Sequence, residues 1–191
     1  MVQSSFPNFT TFDPATGAIP GSTLLERHLS DLQGYFADKA AYAAARQQSN
    51  PLLYRVTTVE PAQGEGALNH CISLIMPGQV GQEYYMTKGH YHARGECAEL
   101  YFGLQGEGML LLQTPAGEIS AQPMTPGAAC YVPPYWGHRT MNVGSTNFVF
   151  FACYPAEAGY DYQAIVESGF ASLVVERDGR AQVVPNPTWK R

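Results

Sequence analysis

The sequence has no CxxC pair, no run of basic residues and no apolar stretch near membrane-spanning length. Each absence removes a class of function. Cys71, Cys97, Cys130 and Cys153 lie far apart, which predicts reduced thiols packed like small hydrophobes. A net charge of −5 without a basic patch argues against nucleic acid and against acidic membrane surfaces as partners. No apolar run can cross a bilayer as a helix. The first thirteen residues carry neither a charged n-region nor an apolar h-region, so no secretory signal is expected there. A soluble protein in a reducing, cytoplasmic setting follows. There is no GxSxG, no Walker loop and no GxGxxG, which speaks against a serine or cysteine hydrolase.

Charge is sparse at 14%, while the chain holds 19 glycines, 14 prolines and 12 tyrosines. That balance suits short strands and many turns better than long helices. Residues 9–12 look extended, and DPATG at 13–17 reads as a turn. Ser30 is a good N-cap for a helix over 31–46, with Leu32, Tyr35, Phe36, Ala40 and Ala43 at helical spacing. Strands are expected over 54–59, 67–76, 83–87, 98–105, 108–114, 118–122, 128–132, 138–142 and 148–154. A short helix over 162–168 and a hairpin around Asp178-Gly179 follow. The expectation is one mainly all-β domain over 1–191: an arm and outer helix at 1–50, a barrel core at 51–155 and an extension at 156–191.

The chemistry concentrates in residues 87–106, TKGHYHARGECAELYFGLQG. His90 and His92 are two apart, so a strand puts both imidazoles on one face. Glu99 adds a carboxylate, and His138 in GAACYVPPYWGHRTMN (127–142) would complete the set. Three imidazoles and one carboxylate suit one divalent ion of Fe(II), Mn, Ni, Co or Zn.

These two segments resemble the paired signatures of the cupin superfamily. The first is a Gly, a histidine pair and a carboxylate, then six residues to a Gly; the second is Gly127, Pro133, Gly137-His138 and Asn142. The resemblance implies a double-stranded β-barrel (jelly roll) around a metal. Generic cupin spacing would select Glu96 as the acidic ligand. Strand alternation selects Glu99: Leu100, Phe102 and Leu104 share one face, while Glu99, Tyr101, Gly103 and Gln105 share the other, which becomes the interior.

A narrower likeness covers nearly the whole chain. LSDLQGYF (29–36), TKGHYH (87–92), AELYFGLQGEG (98–108), MLLLQTPAGE (109–118), YVPPYWGHRTMNVG (131–144) and YPAEAGYDY (154–162) resemble the cupin-type glucose-6-phosphate isomerases, a mainly archaeal family. That resemblance implies a homodimer, a sugar-phosphate substrate and one divalent metal, commonly Fe(II). It implies His90, His92, Glu99 and His138 as ligands, with substrate contacts from Tyr54, Ser73, Thr87, Gly89, Tyr101 and Tyr154. Lys88 could add charge beside the substrate phosphate. Where the family pattern has a histidine in AGHDY, this chain has Tyr160. Glu99 is the natural base for moving a proton between C1 and C2 of a sugar. A metal-assisted hydride shift is the other route. Two other functions share the ligand set: a cupin dioxygenase and a non-catalytic sugar-phosphate-binding cupin. Arg139 reads as a surface residue, His70 as a structural one, and Tyr135 and Trp136 as packing for the loop that presents His138.

Overall fold

The computed structural model describes residues 9–13 and 16–190. Its largest sheet is antiparallel and has six strands. In spatial order these are β1 (Thr23–His28), β2 (Leu52–Val59), β3 (Leu68–Ile75), β11 (Phe148–Pro155), β6 (Glu99–Gln105) and β9 (Ala129–Val132). Facing it are three strands in the order β10 (Gly137–Asn142), β7 (Gly108–Gln113) and β8 (Ile119–Met124). A third sheet joins β13 (Arg180–Pro185), β12 (Ser172–Arg177), β5 (Glu83–Tyr84) and β4 (Gln79–Val80). No described helix is long and apolar enough to cross a membrane.

Strand alternation produces the barrel. Along β6, Glu99, Tyr101 and Gly103 are buried while Leu100 and Phe102 are exposed. Across the sheet, Tyr101 pairs with Ala152, Phe150 with Ser73, and Ser73 with Val56. Paired residues share a face, so Tyr101, Phe150, Ser73 and Tyr54 all point inward, Tyr54 lying two residues from Val56. Phe148 lines the same face two residues from Phe150, and Leu110, Leu112 and Met124 close the interior from the facing sheet. On the outer face of the large sheet, Ile72, Leu74 and Val149 are covered by Ile19, with Phe12 packed alongside. The N-terminal arm is therefore a lid over an apolar face. Beyond its reach Leu100, Phe102 and Tyr131 remain 45%, 38% and 55% exposed.

Asn142 explains why an Asn ends β10. It is fully buried, and its Nδ2 donates to Ile75 O at 2.9 Å and Thr146 O at 2.7 Å, while its Oδ1 accepts from Gly144 N at 2.9 Å. Leaving such a group unpaired costs about 1–3 kcal/mol, so its three bonds fasten β10 to β3 and to the next turn.

The N-terminal region departs from expectation. In place of a helix over 31–46 there is a 3₁₀ turn at Leu29–Leu32, then α1 at Lys39–Gln48. The helix starts at Asp38, whose side chain accepts from Ala41 N at 2.9 Å. Gly34, at φ +88°, breaks the apolar periodicity that had suggested one longer helix. Strand β1 was not foreseen, and it places part of the arm in the main sheet. The expected turn at 13–17 lies partly outside the described residues; Gly17 N donates to Asp13 O at 2.8 Å. A second helix, α2 (Gln163–Ser168), and the β12–β13 hairpin lie where expected. All four cysteines are free, and three are buried.

Candidate metal centre

Two segments 48 residues apart are joined by backbone bonds between the two histidines themselves. His90 N donates to His138 O at 3.1 Å, and His138 N donates to His90 O at 3.0 Å. This reciprocal bridge brings the imidazoles to 4.3 Å between ring centroids. His92 Nδ1 lies 2.9 Å from Cys97 O. Donation to that carbonyl points Nε2 into the barrel, where it faces Glu99 and is the ring atom a cation would engage. Glu99 Oε2 lies 3.2 Å from His92 Nε2 and 3.1 Å from His138 Nε2.

One ligand atom from each of His90, His92, Glu99 and His138 falls within 4.8 Å of the others, so this group can hold a metal ion. The donors fit one. His90 Nε2 and His138 Nε2 are buried without a hydrogen-bond partner; the short His138–Glu99 approach is not aligned as a hydrogen bond. Buried polar atoms are rarely left this way, and two imidazole nitrogens facing one carboxylate are the expected signature of a shared cation.

The electrostatics agree. Burial, with His138 and His92 close by, holds the His90 imidazole well below its ordinary value, so it is neutral and ready to ligate. Burial alone would raise the Glu99 carboxyl, but His138 and His92 outweigh it and keep it ionised. Burial opposes protonation of His92, yet its bonds to Glu99 and Cys97 O raise it overall. Glu96 is exposed and paired with Arg94 at 3.0 Å, which leaves Glu99 as the acid of the cluster.

Of the residues expected to contact substrate, Tyr101 touches this cluster directly and Tyr154 reaches it through Tyr160. Tyr54, Ser73, Tyr101 and Tyr154 are buried. Tyr101 meets His138 edge-on at 5.8 Å. Tyr154 accepts a hydrogen bond from Tyr160 Oη at 2.9 Å, and Tyr160 meets the His90 ring edge-on at 4.9 Å. Thr87 is tied to β10: its N donates to Thr140 O and its Oγ1 accepts from Thr140 N at 3.1 Å. Gly89 is buried at φ +74°, and a Cβ there would lie 2.9 Å from His138 O and from Phe170. The Lys88 ammonium sits 5.5 Å over the Tyr35 ring.

Two sequence expectations change, and one residue had none. Arg139 is not at the surface; it is 3% exposed and donates through Nε and Nη2 to Lys88 O. Tyr135 is 64% exposed with φ +67°, so only Trp136 packs on the core. Arg27 was overlooked. It pairs with Tyr54 across β1 and β2, so it faces the same side as that buried phenol. Its signal was hidden because β1 itself was not recognised.

A β-barrel enclosing three imidazoles and a carboxylate that could hold a metal ion has the form of a cupin. The comparisons narrow the class. The family model described as "Glucose-6-phosphate isomerase (GPI)" matches residues 26–189. The "Glucose-6-phosphate isomerase" of Thermococcus kodakarensis is 50% identical over 93% of this chain and 94% of its own. That of Pyrococcus abyssi is 47% identical over 92% and 93%. The "Putative glucose-6-phosphate isomerase 1" of Rhizobium meliloti is 36% identical over 93% and 85%. This chain belongs to the cupin-type glucose-6-phosphate isomerase family.

Proposed function

We propose that this protein interconverts glucose 6-phosphate and fructose 6-phosphate, and that the reaction requires one divalent metal, Fe(II) in the first instance. Mn, Ni, Co and Zn suit the same ligands. The observation that carries the proposal is the convergence of His90, His92, Glu99 and His138 inside the barrel of a chain of this family. A cation held by these four side chains would polarise the sugar carbonyl and offset negative charge on the neighbouring oxygens.

The protein side chains divide the remaining work. Gly89 N–H, Thr87 Oγ1, Ser73 Oγ and the Tyr54 phenol supply neutral donors for the phosphate. Arg27 and Lys88 give positive charge at the rim; burial, and after it the nearby Arg27, lowers the Lys88 ammonium. Burial and the nearby Glu99 push Tyr101 far above the ordinary phenol value, so it serves as a hydrogen-bond donor to the sugar. Tyr154 likewise stays a phenol, because burial and its bond from Tyr160 raise it. Glu99 is ionised and takes the proton alpha to the carbonyl on the cis-enediol route, returning it to the adjacent carbon. The hydride route needs no base. Reaction in deuterium oxide separates them: solvent deuterium enters the sugar on the first route and not on the second.

The protein acts as a homodimer in this reading. The exposed Leu100, Phe102 and Tyr131 are adjacent on the outer face of one sheet, since Leu100 pairs with Tyr131. A second copy would cover them, as an uncovered apolar patch on a sheet is costly in water. Four free cysteines suit a reducing, cytoplasmic setting. The direct test adds Fe(II) or Mn(II) and fructose 6-phosphate to purified protein and measures glucose 6-phosphate through a coupled dehydrogenase. Activity abolished by a chelator and restored by metal is the expected result. Persistent absence of glucose 6-phosphate with metal-loaded protein would overturn it.

A further inference from the structure

We infer that Arg139 is a positioning residue for substrate: it holds the Lys88–Gly89 peptide so that the Gly89 amide faces the barrel and receives the phosphate. The inference rests on the proposed isomerase function and adds to it a residue that never touches the sugar.

Arg139 follows His138 on β10, and successive strand side chains point to opposite faces. His138 enters the barrel, so Arg139 leaves it on the far side. There it is buried, with its guanidinium 4.6 Å from the Phe170 ring centroid and 5.8 Å from that of Tyr35. Both rings act as cation–π surfaces. Nε and Nη2 converge on a single acceptor, Lys88 O, at 3.1 and 2.7 Å. Burial lowers this guanidinium to about 10, against the pull of Glu83, and it remains a cation at neutral pH. Burying a cation is costly. Among the described residues the only group it hydrogen-bonds is that carbonyl.

The consequence follows from peptide geometry. Lys88 C=O and Gly89 N–H belong to one planar unit, and in a trans peptide they point in opposite directions. No described peptide bond is cis. Pulling the carbonyl outward therefore turns the amide inward. Gly89 is buried, and its N–H has no acceptor among the described residues. A buried amide without an acceptor is rare, which points to a ligand on that side. The residue is also fixed in place: at φ +74°, with His138 O and Phe170 where a Cβ would go, only Gly fits. Arg139 thus presets a donor that the substrate phosphate would otherwise have to orient at its own cost.

The test uses Arg139→Lys and Arg139→Gln in metal-loaded enzyme. Losing a two-pronged, charge-assisted hold should raise KM for fructose 6-phosphate by roughly tenfold or more. We expect kcat to change by less than about threefold and metal content to match wild type, because no bond to the reacting atoms is touched. A merely structural role would instead lower metal content and kcat together. Lysine keeps the charge and one donor, so it reports even if glutamine prevents folding. A second readout needs no activity. The sequence contains one Lys–Gly pair, so carbonyl-13C lysine with 15N glycine marks the Gly89 amide alone. Inorganic phosphate should shift that resonance in wild type and much less in the variants. A resonance indifferent to phosphate in wild type, or variants with wild-type KM, would overturn the inference. Absent isomerase activity with the phosphate shift intact would sink the proposed reaction and leave the role of Arg139 standing.

Discussion

The Tyr160 phenol donates to the Tyr154 hydroxyl at 2.9 Å and sits edge-on to the His90 ring. Burial pushes Tyr160 up to about 12, so it cannot exchange protons near neutral pH. What the structure gives it is the bond to Tyr154 and the contact with His90. Tyr160→Phe should therefore leave kcat at pH 7 within about threefold of wild type, well short of the 10²–10⁴ that proton transfer supplies. Tyr160→His restores the residue of the family pattern and introduces a group that titrates near 6.5. The pH profile of kcat should then gain a limb near that pH. A hundredfold loss in the phenylalanine variant would place the phenol in the chemistry.

Glu99 is the acid closest to the reacting carbons in the proposed site. Glu99→Gln keeps an oxygen donor but loses the charge and the basicity. Turnover should fall by about 10²–10⁴ on the proton-transfer route, while part of the metal stays bound through the three imidazoles. Metal per subunit and kcat, measured on the same sample, check this. Wild-type turnover in the glutamine variant would remove Glu99 from the mechanism.

Part of the candidate ligand set was legible because a strand has a period of two: on β6 that regularity chose Glu99 over Glu96 by the face it occupies. It does not hold for the histidine pair, since the strand expected over 83–87 ends at Tyr84 and only isolated bridges at Met86, His90 and Tyr91 follow; His90 and His138 are brought together by their own backbone bridge instead. The order of the barrel strands was marked by Gly and Pro turns. Arg27, Arg139 and β1 escaped for a common reason. Nothing in RTMN tells that Arg139 is covered, because its cover comes from Phe170 and Tyr35, distant in sequence. Strand β1 has exposed leucines and reads as a loop until β2 supplies its partner. The over-long helix had the opposite cause: Leu32, Tyr35 and Phe36 are apolar because they seal the barrel, and they do so from a 3₁₀ turn and loop.

Leu100 and Phe102 lie two apart on the exposed face of β6. Replacing both with lysine should disrupt the proposed homodimer without touching the interior, since their side chains point away from Glu99 and Tyr101. Light scattering is expected to give the mass of a dimer for wild type and a monomer for the double variant. A monomeric wild-type protein, or an unaltered dimer in the variant, would show that this face is not the interface.

Gly89→Ala tests a backbone position. A left-handed φ costs a non-glycine residue about 1–2 kcal/mol. The new methyl must also displace His138 O or Phe170, each 2.9 Å away. At roughly 2–4 °C per kcal/mol for a chain of this size, the midpoint of thermal unfolding should fall by about 4 °C or more. Metal content should fall with it, because Gly89 sets the direction of His90. An unchanged midpoint would mean that the 88–90 backbone is not held as described.

Acid stability follows from the neutral His90. In the folded, metal-free protein burial and its histidine neighbours keep its pKa well below 6.5, whereas the unfolded chain takes up the proton near 6.5. The unfolded state then binds more protons, so stability must fall as pH drops below about 6.5, by up to about 1.4 kcal/mol per pH unit for this one group. His92 works the other way. Its folded pKa is raised, so its contribution is complete below 6.5 and fades as pH climbs through the raised value. Glu99, lowered in the fold, keeps its contribution until pH falls well into the acid range. Stability of chelator-treated protein should therefore decline on the acid side through His90 and on the alkaline side through His92. Urea unfolding of that protein between pH 5 and 8 measures the curve. His90→Gln should flatten the acid limb and leave the alkaline limb in place. An acid limb equally steep in that variant would mean another buried group is taking up the proton.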